Sequence, residues 1–191
     1  MANASGLPIG KVSSKFINNF LPKVGTPVNA VAAQGKLTIA AQPTADDTMK
    51  IGTTVYTFKA AADATTAGTI SIGTDLATAK AAIIAALKGT DSVNTAHPTV
   101  TPASSFSTND LTLTANTKGT IGNSIATTET FTSAGNIFDA TTLGTTTAGV
   151  NGTVATKGGT CYIDNSYLYY NIAPNTTADT NWRRVSLGSA Y

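Results

Sequence analysis

From Lys36 onward, polar and apolar positions alternate. Lys36-Leu-Thr-Ile-Ala40 has the two-residue period of a half-buried strand. Met49 and Ile51, then Val55-Tyr-Thr-Phe58, repeat it on either side of Gly52-Thr53-Thr54, which predicts a hairpin. Thr69-Ile-Ser-Ile72 reads as a further strand. The period then lengthens. Leu76, Ala79, Ile83, Ile84 and Leu87 fall on one face of a helix over 75–88, with Thr74-Asp75 to cap its start and Gly89 to stop it. Beyond the helix, Thr99 to Pro102 and the alternating Asp110-Leu-Thr-Leu-Thr114 read as strands. Gly119 to Ser124 reads as a turn with two glycines, and Ile125 to Phe131 as extended chain.

The flanks differ from this middle. Residues 1–34 mix apolar side chains with Gly, Pro and Asn. Phe16, Ile17, Phe20 and Leu21 can form one short helical face, and Pro8, Pro22 and Pro27 prevent anything longer. This stretch is expected to be an extended arm whose aromatics find order against a neighbouring subunit. Residues 135–158 are Thr/Gly-rich and read as a loop or linker, with a small apolar anchor at Ile137, Phe138 and Leu143. Residues 159–191 hold most of the tyrosines and predict a three-stranded meander: Cys161 to Ile163, Tyr167 to Ile172 and Trp182 to Ser186, with turns at Asp164-Asn-Ser and Pro174 to Asn181. The expected class is therefore mainly β with one central α-helix (α+β). An antiparallel sheet or sandwich domain over 35–134 is joined to a small C-terminal β-meander.

Composition narrows the function. Thr and Ala supply about a third of the 191 residues, only 12% are charged, and the net charge is +2. Such a balance carries no nucleic-acid footprint. No apolar run approaches the roughly 20 residues of a membrane span. Met1 to Gly10 lacks the basic and apolar stretches of an export signal, so none is expected. One cysteine, Cys161, excludes an intrachain disulfide and any multi-cysteine metal site.

Enzyme chemistry finds little to work with. His97 is the only histidine, so it alone could serve as the base of a nucleophilic site, and it reads as a solvent-facing loop residue beside Pro98. Glu129 is the only glutamate, and Asp46-Asp47 read as turn formers rather than a catalytic carboxylate pair. Asp164-Asn-Ser lacks the acidic density of a calcium loop, and Gly119 to Ser124 lacks the glycine spacing and lysine position of a phosphate loop. The Asn-x-Ser/Thr triplets at Asn3, Asn151 and Asn175 are expected by chance in a Thr-rich chain. No catalytic residue and no cofactor or metal is expected.

Tyr162, Tyr167, Tyr169, Tyr170 and Trp182, with Arg183-Arg184, concentrate the residue types that favour interfaces. Alternation puts Tyr167 and Tyr169 on one face and Leu168 and Tyr170 on the other. So small a sheet cannot bury both faces by itself, and one set is expected to meet another chain or the main domain.

The block from Lys36 to Thr132 resembles a Thr/Ala-rich module of tailed-bacteriophage structural proteins. The likeness rests on Asp47-Thr-Met-Lys-Ile-Gly-Thr-Thr-Val-Tyr-Thr-Phe58, the Thr74 to Lys88 helix, and Leu111 to Ile125. The tail, through Gly159-Thr, Asp164, Tyr167-Leu-Tyr169 and Trp182-Arg-Arg-Val-Ser-Leu187, resembles a short C-terminal module common in phage virion proteins. The resemblance implies a structural, non-enzymatic role. The expectation is a capsid decoration or cement protein on the outer head surface, a homo-oligomer, most plausibly a trimer, whose partners are the major capsid protein and itself, with no nucleic acid and no membrane. The expected partner-binding residues are Phe16, Ile17, Phe20 and Leu21 in the arm and Tyr167, Tyr169, Trp182 and Arg183 in the meander. The alternative is a tail, baseplate or fibre component that stacks host-surface glycans on the C-terminal aromatics.

Overall fold

A computed structural model describes residues 23–155 and 161–188. Among them are twelve strands and one long helix. The strands are β1 (Lys23–Val24), β2 (Gln34–Thr38), β3 (Thr48–Ile51), β4 (Thr54–Lys59), β5 (Thr69–Ser71), β6 (Val100–Pro102), β7 (Asp110–Ala115), β8 (Thr127–Glu129), β9 (Ile137–Phe138), β10 (Cys161–Ile163), β11 (Tyr167–Asn171) and β12 (Trp182–Ser186), with helix α1 (Leu76–Lys88) between β5 and β6. The protein is mainly β with a single helix. It divides into two compact units, residues 30–151 and the terminal segments 1–29 with 152–191.

In the 30–151 unit, two four-stranded sheets run in the orders β6-β7-β2-β9 and β5-β4-β3-β8. Pairing is antiparallel throughout except between β4 and β5, which run parallel. The alternation along β2 and β7 places Leu37 opposite Leu111 and Gly35 opposite Leu113, so one face of the sheet is apolar. Leu37, Ile39, Leu111 and Leu113 from one sheet join Met49, Ile51, Phe58 and Ile70 from the other in one core, closed by Ile83, Ala86 and Leu87 of α1. The helix starts where expected. Asp75 caps it by accepting from Thr78 N at 2.8 Å, while Thr78 Oγ1 accepts from Asp75 N at 3.1 Å. It ends at Gly89, whose φ of 66° is left-handed and where a Cβ would run into the Ala96 backbone nitrogen.

Three local expectations are revised. The Thr/Gly-rich stretch after residue 135 does not stand apart as a linker as far as Asn151. Its Ile137–Phe138 forms β9 on β2, and backbone bridges tie Thr142, Thr147 and Val150 to Ala126, Gln34 and Val31. Polar side chains do the work that apolar periodicity would otherwise signal. Asp139 accepts from Lys36 N at 3.0 Å and from Thr145 Oγ1 at 2.7 Å. Of the expected anchor, Phe138 and Leu143 are buried and Ile137 points outward. Gly119 to Ser124 winds into a short 3-10 helix over Thr120–Ser124. His97 is buried rather than solvent-facing, because its ring satisfies backbone groups that would otherwise be orphaned. Nε2 lies 3.2 Å from Ile51 O, and Nδ1 accepts from Val100 N at 3.2 Å.

The terminal unit holds the third sheet, ordered β1-β10-β11-β12. Its β10-β11-β12 part is the expected meander. The fourth strand is a short parallel addition from the other end of the chain, Lys23 opposite Tyr162 and Val24 opposite Ile163.

Candidate functional site

The residue types expected to bind partners meet in the terminal unit, and its sheet sorts them by face. Register puts Tyr162, Tyr169 and Arg184 in one row across the strands, with Tyr167, Asn171 and Trp182 on the same side. The Tyr169 and Trp182 rings on this side are buried. Tyr162 and Trp182 meet edge to face with ring centres 5.3 Å apart, and the Arg184 guanidinium lies 4.2 Å from the centre of the Tyr167 ring. Trp182 donates from Nε1 to Thr153 O at 2.9 Å, which supplies the partner a buried indole needs.

The cover comes from residues 25–29. Pro27 is buried, and Thr26 donates to Asp164 at 3.1 Å. Asn29 accepts from Trp182 N at 3.1 Å, and its amide reaches Trp182 O at 3.5 Å. This closure has a specific effect on the β12 edge. Leu187 N donates to Ser166 O and Ile172 N to Asn181 O. By the alternation of an antiparallel ladder, Arg183 and Val185 therefore turn their backbone toward β11, whereas Trp182, Arg184 and Ser186 turn theirs outward. Asn29 thus replaces a strand partner at Trp182 and leaves Arg184 and Ser186 to form the open edge.

Asp164 is the electrostatic hinge of the unit. It forms the expected turn by accepting from Ser166 N and Tyr167 N, each at 2.8 Å. Its other oxygen accepts from Tyr169 OH at 2.7 Å. The Tyr169 hydroxyl, then the Ser166 and Tyr167 amides and Thr26, hold its carboxyl down at about 2. A carboxylate so occupied is a fastener, with no lone pair aimed at a metal.

The opposite side of the sheet carries Cys161 and Ile163 on β10, Leu168 and Tyr170 on β11, and Arg183 and Val185 on β12. Ile163, Leu168 and Val185 form one apolar row. Tyr170 is 44% exposed, Val185 52% and Leu187 46%.

The predicted partner-binding residues separate accordingly. Tyr169 and Trp182, at 7% and 4% exposure, are enclosed by their own chain within this unit. Tyr167 is half-buried beneath Arg184, and Arg183 is exposed, its guanidinium donating to Thr180 O at 2.9 Å. Phe16, Ile17, Phe20 and Leu21 lie outside the described residues. Sequence reasoning missed Thr26, Pro27 and Asn29. A Pro two residues before an Asn has no periodicity, and nothing in those residues marks partners more than 130 positions away. A groove of about 450 Å³ runs where these residues meet Trp182 and Arg183.

Elsewhere, the candidate chemistry resolves into structure. Asp47 is buried and accepts from Thr44 N at 2.8 Å and Thr132 N at 3.0 Å, while Asp46 takes a φ of 72° and pairs with Lys59. Burial holds the His97 imidazole below its usual range, and its nitrogens face backbone, with the Thr99 hydroxyl no closer than 3.5 Å. Among the described residues, no three His, Cys, Asp or Glu side chains are grouped to hold a metal ion. No helix among them is long and apolar enough to cross a membrane. No family model, curated protein or solved structure matches the chain.

Proposed function

We propose that this chain is a structural protein of the tailed-phage virion, a decoration protein that binds and stabilises the outer capsid surface as a homo-oligomeric trimer. The observation that supports this best is the two-sided sheet of the terminal unit. One side has its Tyr169 and Trp182 rings buried by the chain itself, and the other offers the Ile163-Leu168-Val185 row with Tyr170 and Leu187 to a partner. An apolar strip of this kind, repeated over a symmetric lattice, gains affinity through many weak contacts acting together. Binding only to the assembled shell stabilises it by mass action. Phe16, Ile17, Phe20 and Leu21, near the other end of the sequence, supply further apolar side chains for such contacts.

The glycan-binding alternative asks for exposed aromatic faces, and enclosure of Tyr169 and Trp182 removes two of them. Quantitative mass spectrometry of purified particles tests the reading. A copy number close to that of the major shell subunit is the expected result. A much lower number moves the chain to the tail, and absence from particles ends the virion reading. Deleting residues 1–22 is expected to abolish particle binding while the 30–151 unit stays folded.

A further inference from the structure

The outer edge of β12 stays open over a stretch that matches a second copy of itself. We propose that two copies of this chain pair β12 with β12, antiparallel and centred on Val185, so that their two terminal sheets become one. Four observations carry the proposal. Residues 183–188 are all exposed, so the strand lies at the surface. Within that stretch Arg184 and Ser186 turn their backbone N–H and C=O groups away from β11, and no described residue bonds to them. The stretch is bounded on both sides. Asn29 occupies the backbone of Trp182, and Gly188, with a φ of 75°, turns the chain out of the strand. Its arginines do not guard it. The Arg184 guanidinium is laid over the Tyr167 ring of its own sheet at 4.2 Å, and Arg183 Nη1 donates to Thr180 O and Trp182 O, each at 2.9 Å.

A pair of open residues with Val185 between them admits a single two-fold register that uses both. Arg184 of each copy lies opposite Ser186 of the other, and each such pair exchanges both of its backbone hydrogen bonds. Centring on Arg184 instead would set like charges directly opposite and turn Ser186 toward the Trp182 backbone that Asn29 already holds. Centring on Ser186 would set Arg184 against the bent Gly188. In the Val185-centred register Arg183 faces Leu187 and Arg184 faces Ser186, so no charge meets its like. The two Val185 side chains meet on the axis, and the Ile163-Leu168-Val185 row runs on without a break into that of the other copy. Val185, 52% exposed in one copy, is thereby flanked on both sides. Leu187 of each copy comes beside Arg183 of the other, at the groove walled by Thr26, Pro27 and Trp182. The contact is two-fold and additional to the trimer of the virion reading. It does not rest on that reading, since particle copy number has no bearing on how free chains pair.

A disulfide across the axis reads the register directly. Opposite residues of a non-hydrogen-bonded pair have Cα atoms about 4.5 Å apart, within the range a disulfide spans, whereas the two Leu187 residues would stand more than about 12 Å apart. Cys161→Ser leaves the introduced thiol alone in the chain. On that background, in a glutathione redox buffer, Val185→Cys is expected to form a covalent dimer at least about tenfold faster than Leu187→Cys, a control of similar exposure. Equal rates, fast or slow, overturn the proposal, and a faster Leu187→Cys overturns it in favour of another register. Pairing through the backbone is read separately by adding Ser186→Pro to Val185→Cys. The Ser186 N–H points away from β11, so proline leaves the ladder within the chain intact and removes a donor of the contact. Cross-linking is expected to fall at least about fivefold, with Trp182 emission unchanged. An undiminished rate overturns the proposal. If the proline alters the emission, the comparison of Val185→Cys with Leu187→Cys decides alone.

Discussion

In residues 30–151 the interior is aliphatic: Leu37, Ile39, Ile51, Ile70, Ile83 and Leu111 from two sheets and a helix, with Phe58 and Phe131 in ring contact at 5.5 Å. In the terminal unit a single sheet is closed by Tyr162, Tyr169 and Trp182, with the Tyr169 hydroxyl engaged by Asp164 and the Trp182 indole by Thr153. The first arrangement needs only alternation and volume, because aliphatic side chains ask for no partners. The second needs each ring to be shielded and its hydroxyl or indole to be matched, so it depends on placed polar residues as much as on area. A small sheet can therefore be ordered without a second sheet, provided that its rings have these partners.

Truncating one ring in each unit gives the largest test of that difference. Phe58→Ala and Trp182→Ala should each cost about 3–5 kcal/mol. The first should lower the main far-UV circular-dichroism transition, and the second should abolish protection of β10–β12 amides in hydrogen exchange. If Phe58→Ala removes that protection as well, the two units melt as one and the contrast fails.

The next effect separates polar fastening from packing. Asn29→Ala removes the group that accepts from Trp182 N at 3.1 Å and should cost about 1–3 kcal/mol, read as faster exchange of the Trp182 amide. An unchanged rate would mean that ring packing alone holds this edge. In the other unit, Asp75→Ala removes the α1 cap and should cost about 1 kcal/mol, read from the thermal midpoint.

Mild acid should produce the smallest change. Burial holds the His97 imidazole below its usual value of 6.5, so the unfolded chain takes up the proton first. Stability of the 30–151 unit should be level above about pH 6.5 and decline below it. A drop from pH 7.5 to 6 reaches only the start of this decline, and His97→Gln should flatten it. The Asp164 contribution to the terminal unit has the same sign at lower pH: present above 3.8, and lost as pH falls toward about 2.

Legibility in the sequence follows the same divide. The α1 helix and the strands β2 to β4, β7 and β10 to β12 were readable because period and capping are local properties. The alternation also placed Tyr167 with Tyr169 and Leu168 with Tyr170 correctly. Which of those faces is closed was not readable, since the cover is Pro27 and Asn29 from the far end of the chain. His97 was misread for a related reason: its burial is set by Ile51 O and Val100 N, and backbone groups leave no trace in side-chain pattern. Residues 139–151 escaped because Asp139 and Asn123 clip them in place, and Asn123 accepts from Gly149 N at 2.7 Å. A Thr/Gly stretch held in this way looks like a linker.

The parallel pairing of Lys23 with Tyr162 sets an order of events on the ribosome. Every strand of the 30–151 unit has its partner within residues already made by the time Asn151 is added. Lys23 and Val24 must wait for Tyr162 and Ile163, and Asn29 for Trp182, which at about 5–20 residues per second follows Asn151 by about 2–6 s. Residues 23–29 are thus among the last of the described residues to find their partners, and a chain stalled before residue 161 would carry a finished 30–151 core with that segment unclaimed.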